Sequence, residues 1–508
     1  MDEVTIGRLR TALERADYRY DAVMALLGDS AEAALQRNET TPALLRTGGG
    51  SPLETLVRLW LLQAPVALES AAAALGDLVD LLCAAGLLER SVGEVAARVD
   101  VRPYATDDPE SPDLLVLSDL TPGLDGGPNS VSADHVLGIS AASTSLAQLT
   151  VRTPSASALD LGTGCGVQAL HLARHVTKVV ATDVNERALW VARINAVLNG
   201  VADRVDVRAG SLLEPVRGER FDVIATNPPF VISPGTGDRL VYRDSGLPGD
   251  QVVERIVRAI PDHLSPGGTG QVLANWLISR RQPWEERLGD WLDERCDAWV
   301  VQREVLDLPA YVELWLKDSG HHPATGGDPQ KYRRRYDTWL SWLEEQGAEG
   351  VGFGWVNLRL PSSGSGTGSG SGTGSGSGWA SHRLEEWPWE VAQPIAPEVG
   401  AHFERVAALR RLSDDDLAGR RLTRRSDVQQ ETFGAPGAAD PATIVLRQQT
   451  GLRRARQADT VVAALVGACD GDLTVGQILA ALADLLDAPS GDRLGTVREL
   501  VEEGFLLP

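Results

Sequence analysis

At 508 residues the chain exceeds what one hydrophobic core normally supports, so two to four domains are expected. A hydrophobic fraction of 43% with 23% charged residues is that of an ordinary globular protein, and no long uncharged apolar run offers a membrane span or a signal-peptide core. The net charge of −22 disfavours an extended grip on duplex nucleic acid, and four scattered cysteines disfavour a disulfide framework or a metal site, so a cytoplasmic setting is expected.

Residues 4–45 place apolar and charged positions at helical spacing up to the turn TGGGSP, and 52–90 read as two or three short helices. VAARVDVRPYA and DLLVLSDL then alternate as strands. Helices followed by a small hairpin predict a winged-helix-like accessory module over 1–128. In so acidic a segment, positioning of a partner or substrate fits better than DNA reading.

From 155 to 305 strand-like and helix-like segments alternate. ALDLGTG, KVVATDV, RVDVRAGS, FDVIATNPPF and GTGQVLANWLI read as strands, and VQALHLARH, ERALWVARINAVLNG, QVVERIVRAIPDHL and PWEERLGDWLDERC as helices. That alternation predicts a parallel, doubly wound α/β sheet, a Rossmann-like core over 129–394. A helical stretch (309–347) and the strand-like VGFGWVNLRL lead to an almost pure Gly/Ser/Thr run at 361–378, followed by HRLEEWPWEV. The run has no side chains to bury, and a disordered excursion between two paired strands is expected. Residues 395–508 predict a second helical or winged-helix-like module. Only 401–460 is net basic, with Arg405, Arg410, Arg411, Arg420, Arg421, Arg424, Arg425, Arg447, Arg453, Arg454 and Arg456, a local strip that would suit RNA.

The chemistry concentrates in three places. Asp160, Gly162, Thr163, Gly164 and Gly166 form a glycine turn at the end of the first strand, where the backbone can approach a ligand closely. An acid before the turn would repel pyrophosphate but can engage the ammonium of an amino acid. Asp183, ending KVVATDV and followed by Val184, is placed to accept hydrogen bonds from ribose hydroxyls. Together they specify an adenosyl ligand bearing an amino acid, S-adenosylmethionine, with Gly210 and Ser211 where its adenine would lie. The third place is Asn227-Pro228-Pro229-Phe230. A planar NH2 is a poor nucleophile. The Asn227 side-chain oxygen and the Pro228 carbonyl can accept its two hydrogens and draw the nitrogen toward tetrahedral geometry, while Phe230 offers a flat face.

DLGTGCGVQAL, the acid at Asp183 and NPPF resemble the class I methyltransferases that act on planar nitrogens: the release-factor glutamine (HemK-type) enzymes and relatives that methylate exocyclic amines of bases. The resemblance covers roughly 130–310. It implies catalytic roles for Asn227, Pro228 and Phe230, and cofactor contacts from Asp160, Gly162, Thr163, Gly164, Gly166, Asp183, Val184, Gly210, Ser211 and Asn227. It also implies a seven-stranded sheet with an antiparallel edge hairpin, whose loop would hold the Gly/Ser run. A protein glutamine amide is the favoured acceptor, given the overall acidity and the segment YRDSGLPGDQVVERIV. An RNA or DNA base amine is the alternative, and a cofactor-binding scaffold without turnover is the rival of another class. Around this site, His135 is a candidate for substrate orientation or an ordinary loop residue. KYRRRY (331–336) fits a solvated helix face, Cys165 faces the cofactor by position, and the clustered tryptophans of 276–389 fit packing of the sheet edge.

Overall fold

Runs rich in Val, Ile and Thr bounded by glycine or asparagine form the central sheet of this computed structural model, which describes residues 1–107, 111–127, 131–235, 247–362, 380–436, 441–486 and 493–508. The sheet's strands are β1 (Ser155–Leu161), β2 (Val176–Asp183), β3 (Val205–Ala209), β4 (Phe221–Thr226), β5 (Leu264–Ser279), β6 (Asp297–Asp307), β7 (Ala348–Arg359) and β8 (His382–Glu386). Their order is β8-β6-β7-β5-β4-β1-β2-β3. The expected α/β architecture is present, with the order reversing between β1 and β4, where ligands of open α/β sheets sit.

One strand runs against the others, as the resemblance implies for the far side of the sheet. β7 runs antiparallel to both β5 and β6, whereas β1 to β5 pair in parallel. The strands flanking the Gly/Ser run are not paired with each other. β6 lies between β7 and β8, and β8 joins it in parallel as an eighth strand. β8 therefore runs antiparallel to β7 with β6 between them, and composition could not distinguish that placement from a hairpin. Apart from residues 361 and 362, the run lies outside the described residues.

The helices α1 (Ala141–Leu149), α2 (Val167–Leu172), α3 (Glu186–Leu198), α4 (Gln251–His263), α5 (Leu308–Asp318), α6 (Pro329–Glu345) and α7 (Ala396–Arg410) cover the sheet. On one face Leu146, Val399 and Phe403 join a core with Leu273, Trp299, Val301 and Trp355, which alternate with residues facing the other side. On the opposite face Ile256 and Ile260 of α4 meet Val272, Ala274, Trp276 and Val300. The helical pair α5–α6 is inserted between β6 and β7 and packs on Val231 and Ile232, just after NPPF. PWEERLGDWLDERC is helical only over Trp284–Gly289; the chain then tightens, with Trp291 N donating to Leu288 O (2.9 Å) and Leu292 N to Gly289 O (3.1 Å), before the Asp293 carboxylate accepts from the Arg295 amide.

In the N-terminal module, helices Leu68–Leu75 and Leu78–Ala84 lie between strands Val66–Ala67 and Leu88–Ser91, and Glu94–Ala97 pairs between those strands. A hairpin of Val99–Tyr104 and Leu114–Asp119 follows. Its free edge is met by α3. The Asn195 amide accepts from Leu117 N (2.8 Å) and donates to Leu117 O (2.8 Å), and Asn199 does the same for Leu115 (2.9 and 2.8 Å). Two side-chain amides spaced i, i+4 thus act as a neighbouring strand would. One continuous core runs from Ile6 in this module to Phe403 of α7. In the C-terminal module, helices Thr460–Ala468, Val475–Leu486 and Arg493–Glu502 precede strand Leu506–Leu507. The partner strand, Thr423–Arg424, comes from upstream of all three helices.

Candidate functional site

The glycine turn leaves β1 under the constraint of its hydrogen bonds. Gly162 N and Thr163 N both donate to the Thr182 carbonyl (2.9 and 2.8 Å), which folds the turn back over the end of β2. Gly162, Gly164 and Gly166 all have positive φ (75°, 55° and 85°), where a side chain would be strained. A Cβ on Gly162 or Gly164 would meet no atom within 4 Å, so the turn borders open space that a ligand can occupy. At Gly166 the reason differs: a Cβ would stand 3.2 Å from Ala192 of α3, so close helix packing requires glycine there.

Asp160 is only 1% exposed. One carboxylate oxygen accepts from Thr163 Oγ1 (2.5 Å) and Ala169 N (2.9 Å), so it ties the turn to α2. Burial pushes its carboxyl up to about 7, against those two hydrogen bonds, and neighbouring Asp183 adds to the rise. Asp183 accepts from Gly164 N (3.0 Å) with one oxygen and from Asn185 N (2.9 Å) with the other. Its carboxyl is also raised, by burial. Val184 beside it is 69% exposed, an apolar surface uncovered at the sheet's carboxyl edge. Gly210 N donates to the Asp183 carbonyl (3.0 Å), and a Cβ at Gly210 would stand 2.4 Å from Pro215, so that loop is fixed against β2. Ser211 follows it on the surface.

Asn227 stands at the end of β4. The Thr226 hydroxyl donates to Leu161 O (2.8 Å), which binds this strand end to the glycine turn. The Asn227 Oδ1 atom is buried and has no hydrogen-bond partner among the described residues. An unpaired buried acceptor carries a desolvation cost that a bound donor would relieve. Pro228 is buried behind it. Phe230 is half-buried at the junction of three apolar clusters, with its ring centroid 6.2 Å from that of Trp315 on α5 in an edge-on contact. Tyr311 of the same helix accepts Ile232 N at its hydroxyl (2.7 Å) and so holds the backbone beyond the motif.

Residues 137–292 match the methyltransferase small domain. Residues 15–98 and 400–508 match two domains of unknown function, DUF7059 and DUF7782. Over 121 residues the chain is 38% identical to the ribosomal protein uL3 glutamine methyltransferase of Bradyrhizobium diazoefficiens (22% of this chain, 38% of the relative). Over 131 residues it is 36% identical to the release factor glutamine methyltransferase of Xylella fastidiosa (23% and 44%). Over 154 residues it is 31% identical to the ribosomal RNA small subunit methyltransferase C of Alcanivorax borkumensis (30% and 40%). The chain thus spans less than half the length of each of these relatives.

Within the stretch 137–292 the glycine turn, Asp183, Gly210 and Asn227 lie together at the carboxyl ends of β1, β2, β3 and β4. Cys165 is a correction: it is 3% exposed and belongs to the apolar core, not to the open side of the turn, and burial pushes its thiol up to about 11. His135 is 7% exposed, with Nδ1 3.8 Å from the Asp119 carboxylate, which also receives Arg187 and the Val136 amide. It belongs to an ion-paired corner beside a cleft of about 590 Å³ that Gln63, Arg98, Thr121 and Asp134 also line. KYRRRY occupies the first turns of α6, where Lys331, Arg333 and Arg334 are exposed. Trp276, Trp284, Trp299, Trp315 and Trp355 are buried against the sheet or its flanking helices, and Trp389 is exposed. Sequence reasoning missed Tyr311, Asn195 and Asn199.

Proposed function

We propose that this protein is an S-adenosylmethionine-dependent N-methyltransferase whose acceptor is a glutamine side-chain amide of a protein. The observation that carries the proposal is the buried, unpartnered Asn227 Oδ1 at the strand end beside the glycine cradle. The cradle suits the cofactor: three glycines at positive φ, open space above Gly162 and Gly164, a carboxylate at Asp183 and an uncovered Val184. Bound there, S-adenosylmethionine would supply an electrophilic methyl group. Asp160 with Gly162, Thr163, Gly164 and Gly166 would hold its methionine end, Asp183 its ribose, and Val184, Gly210 and Ser211 its adenine. Asn227 Oδ1 and the Pro228 carbonyl accept the two hydrogens of the acceptor NH2, and Phe230, set by Trp315, lies against its plane. Such donors and acceptors raise rate by being in place before the charge shifts.

The names of the glutamine-methylating relatives favour a carboxamide. The folded state of the arginines supports the same choice, because most of those in 401–460 are spent on acids of this chain. Arg405 and Arg425 bind Glu398, Arg454 binds Glu385, Arg456 binds Glu499 and Glu503, Arg447 binds Glu431, and Arg410 binds Asp297.

Two variants separate the roles. Asp183→Ala should weaken S-adenosylhomocysteine binding in a calorimetric titration, by about 1.5–3 kcal/mol for each charge-assisted hydrogen bond lost. Asn227→Ala should bind it as the wild type does. It should nevertheless transfer labelled methyl to purified release factor or uL3 roughly two orders of magnitude more slowly. Equal activity of wild type and Asn227→Ala would remove the acceptor clamp. Transfer to ribosomal RNA but to neither protein would replace the carboxamide with a base amine.

A further inference from the structure

Asn275 lies within β5 and is 1% exposed, and its Nδ2 atom is buried without a hydrogen-bond partner among the described residues. Two other amides on that face also have unmet atoms, Gln271 and Asn357, but they stand opposite each other in the β5–β7 register, within mutual reach. Asn275 has no such neighbour. Its register partner on β7 is Phe353, and on the other side the β4 pairing ends at Thr226 beside Val272.

That last pair fixes the face. Parallel neighbours in register point their side chains the same way, so Thr226 faces with Val272, and by alternation the next residue, Asn227, falls on the side that carries Gln271, Leu273 and Asn275. Val272, Ala274 and Trp276 face the opposite core. Along the shared face Leu273 belongs to the core beneath α1 and α7, and Leu277 packs on the α5–α6 cluster. Asn275 sits between the two clusters, and Phe230 touches both. The end of β4 and the neighbouring stretch of β5 therefore place an unmet acceptor, Asn227 Oδ1, and an unmet donor, Asn275 Nδ2, on one side of the sheet, beside the clusters that Phe230 joins.

We propose that Asn275 is a second acceptor-binding residue, donating from Nδ2 to the oxygen of the carboxamide whose NH2 Asn227 receives. This rests on the methyltransferase function proposed above. A primary amide offers both groups on one carbon, so the pair matches it in position and in hydrogen-bond sense. A carboxylate would meet Asn275 but present no hydrogens to Asn227, so the pair selects glutamine over glutamate.

The chain has only eight asparagines: Asn38, Asn129, Asn185, Asn195, Asn199, Asn227, Asn275 and Asn357. Asparagine-selective 15N labelling therefore resolves the side-chain amides individually, with Asn275→Asp and Asn227→Ala assigning the two of interest. Propionamide, the smallest analogue of a glutamine side chain, is titrated into protein saturated with S-adenosylhomocysteine. The expected result is a shift of the Asn227 and Asn275 amides together, with propionate moving neither. Asn275→Asp and Asn275→Leu should keep cofactor-product affinity and lose propionamide affinity by about tenfold, the cost of one hydrogen bond to a buried group. A shift at Asn227 alone, or unchanged affinity in both variants, would overturn the role of Asn275 and leave the clamp standing. Silence at both amides would remove the clamp and Asn275 with it.

Discussion

Asp160 shows how one residue can be legible by position and not by environment. The sequence places an acid before a glycine turn, but not its burial or its bonds to Thr163 and Ala169. Held near 7, the carboxyl is partly protonated at neutral pH. An ammonium group beside it would favour the ionised form, so cofactor affinity should rise with pH toward 7 and level off above it. The stability effect has the opposite sign. Because the folded group binds its proton more tightly than the unfolded one, stability contributed by Asp160 is full below pH 4 and is lost as pH rises through about 7. Calorimetric titration of S-adenosylhomocysteine across this window checks the first sign, and Asp160→Asn should flatten it. An unchanged slope in the variant would mean that Asp160 serves the turn alone.

Among elements, those with strong periodicity or a glycine signature were readable: β1, β2, β4, α3 and the short helices of 52–90. The partner of each strand was not. Whether β8 pairs with β7 or with β6 depends on a connection whose composition says nothing of direction, and whether β7 runs parallel depends on the helical pair α5–α6 before it. The amides of α3 were invisible for a related reason, since helical spacing marks Asn195 and Asn199 only as one face. Their use as a strand edge exists only once the hairpin 99–119 docks. Asn195 is fully buried and also donates to Cys165 O (2.8 Å), joining the N-terminal module to the glycine turn. Asn195→Ala would leave Leu117 and Cys165 backbone groups unmet. It should cost about 1–3 kcal/mol, measured by chemical denaturation, against a smaller loss for the half-buried Asn199→Ala. Equal losses would mean that burial does not set the cost at this junction.

At the scale of the whole molecule, net charge misled in one respect. The basic strip 401–460 suits a surface for phosphates by composition, but Arg410 and Arg454 bind Asp297 and Glu385 of the sheet, and Arg405, Arg425, Arg447 and Arg456 bind acids beside it or within the C-terminal module. Burial would raise the Glu385 carboxyl, but Arg454 (2.7 and 2.8 Å) and Arg383 outweigh it and hold it at about 2. A depressed folded value means that this stabilisation is complete above about 4.5 and is lost as pH falls toward 2. Arg454→Ala would leave Glu385 buried and short of its main partner, which should cost about 3–5 kcal/mol. What remains for an outside partner is the exposed group Arg411, Arg420, Arg421 and Arg424, with Arg453, whose exposed pair with Glu390 stands at 3.8 Å. Reversing Arg420, Arg421 and Arg424 to glutamate should leave the thermal midpoint close to wild type, because none of the three is held in the core. If the acceptor is a protein carboxamide docked away from this strip, methyl transfer by that triple variant should match the wild type from low to physiological salt. An RNA acceptor held there would instead weaken with salt by a slope of about −0.7 per phosphate contact, and the variant would lose both the affinity and the slope. Transfer measured against salt in the two proteins decides between them, and a wild-type slope abolished by the triple change would place RNA at this surface.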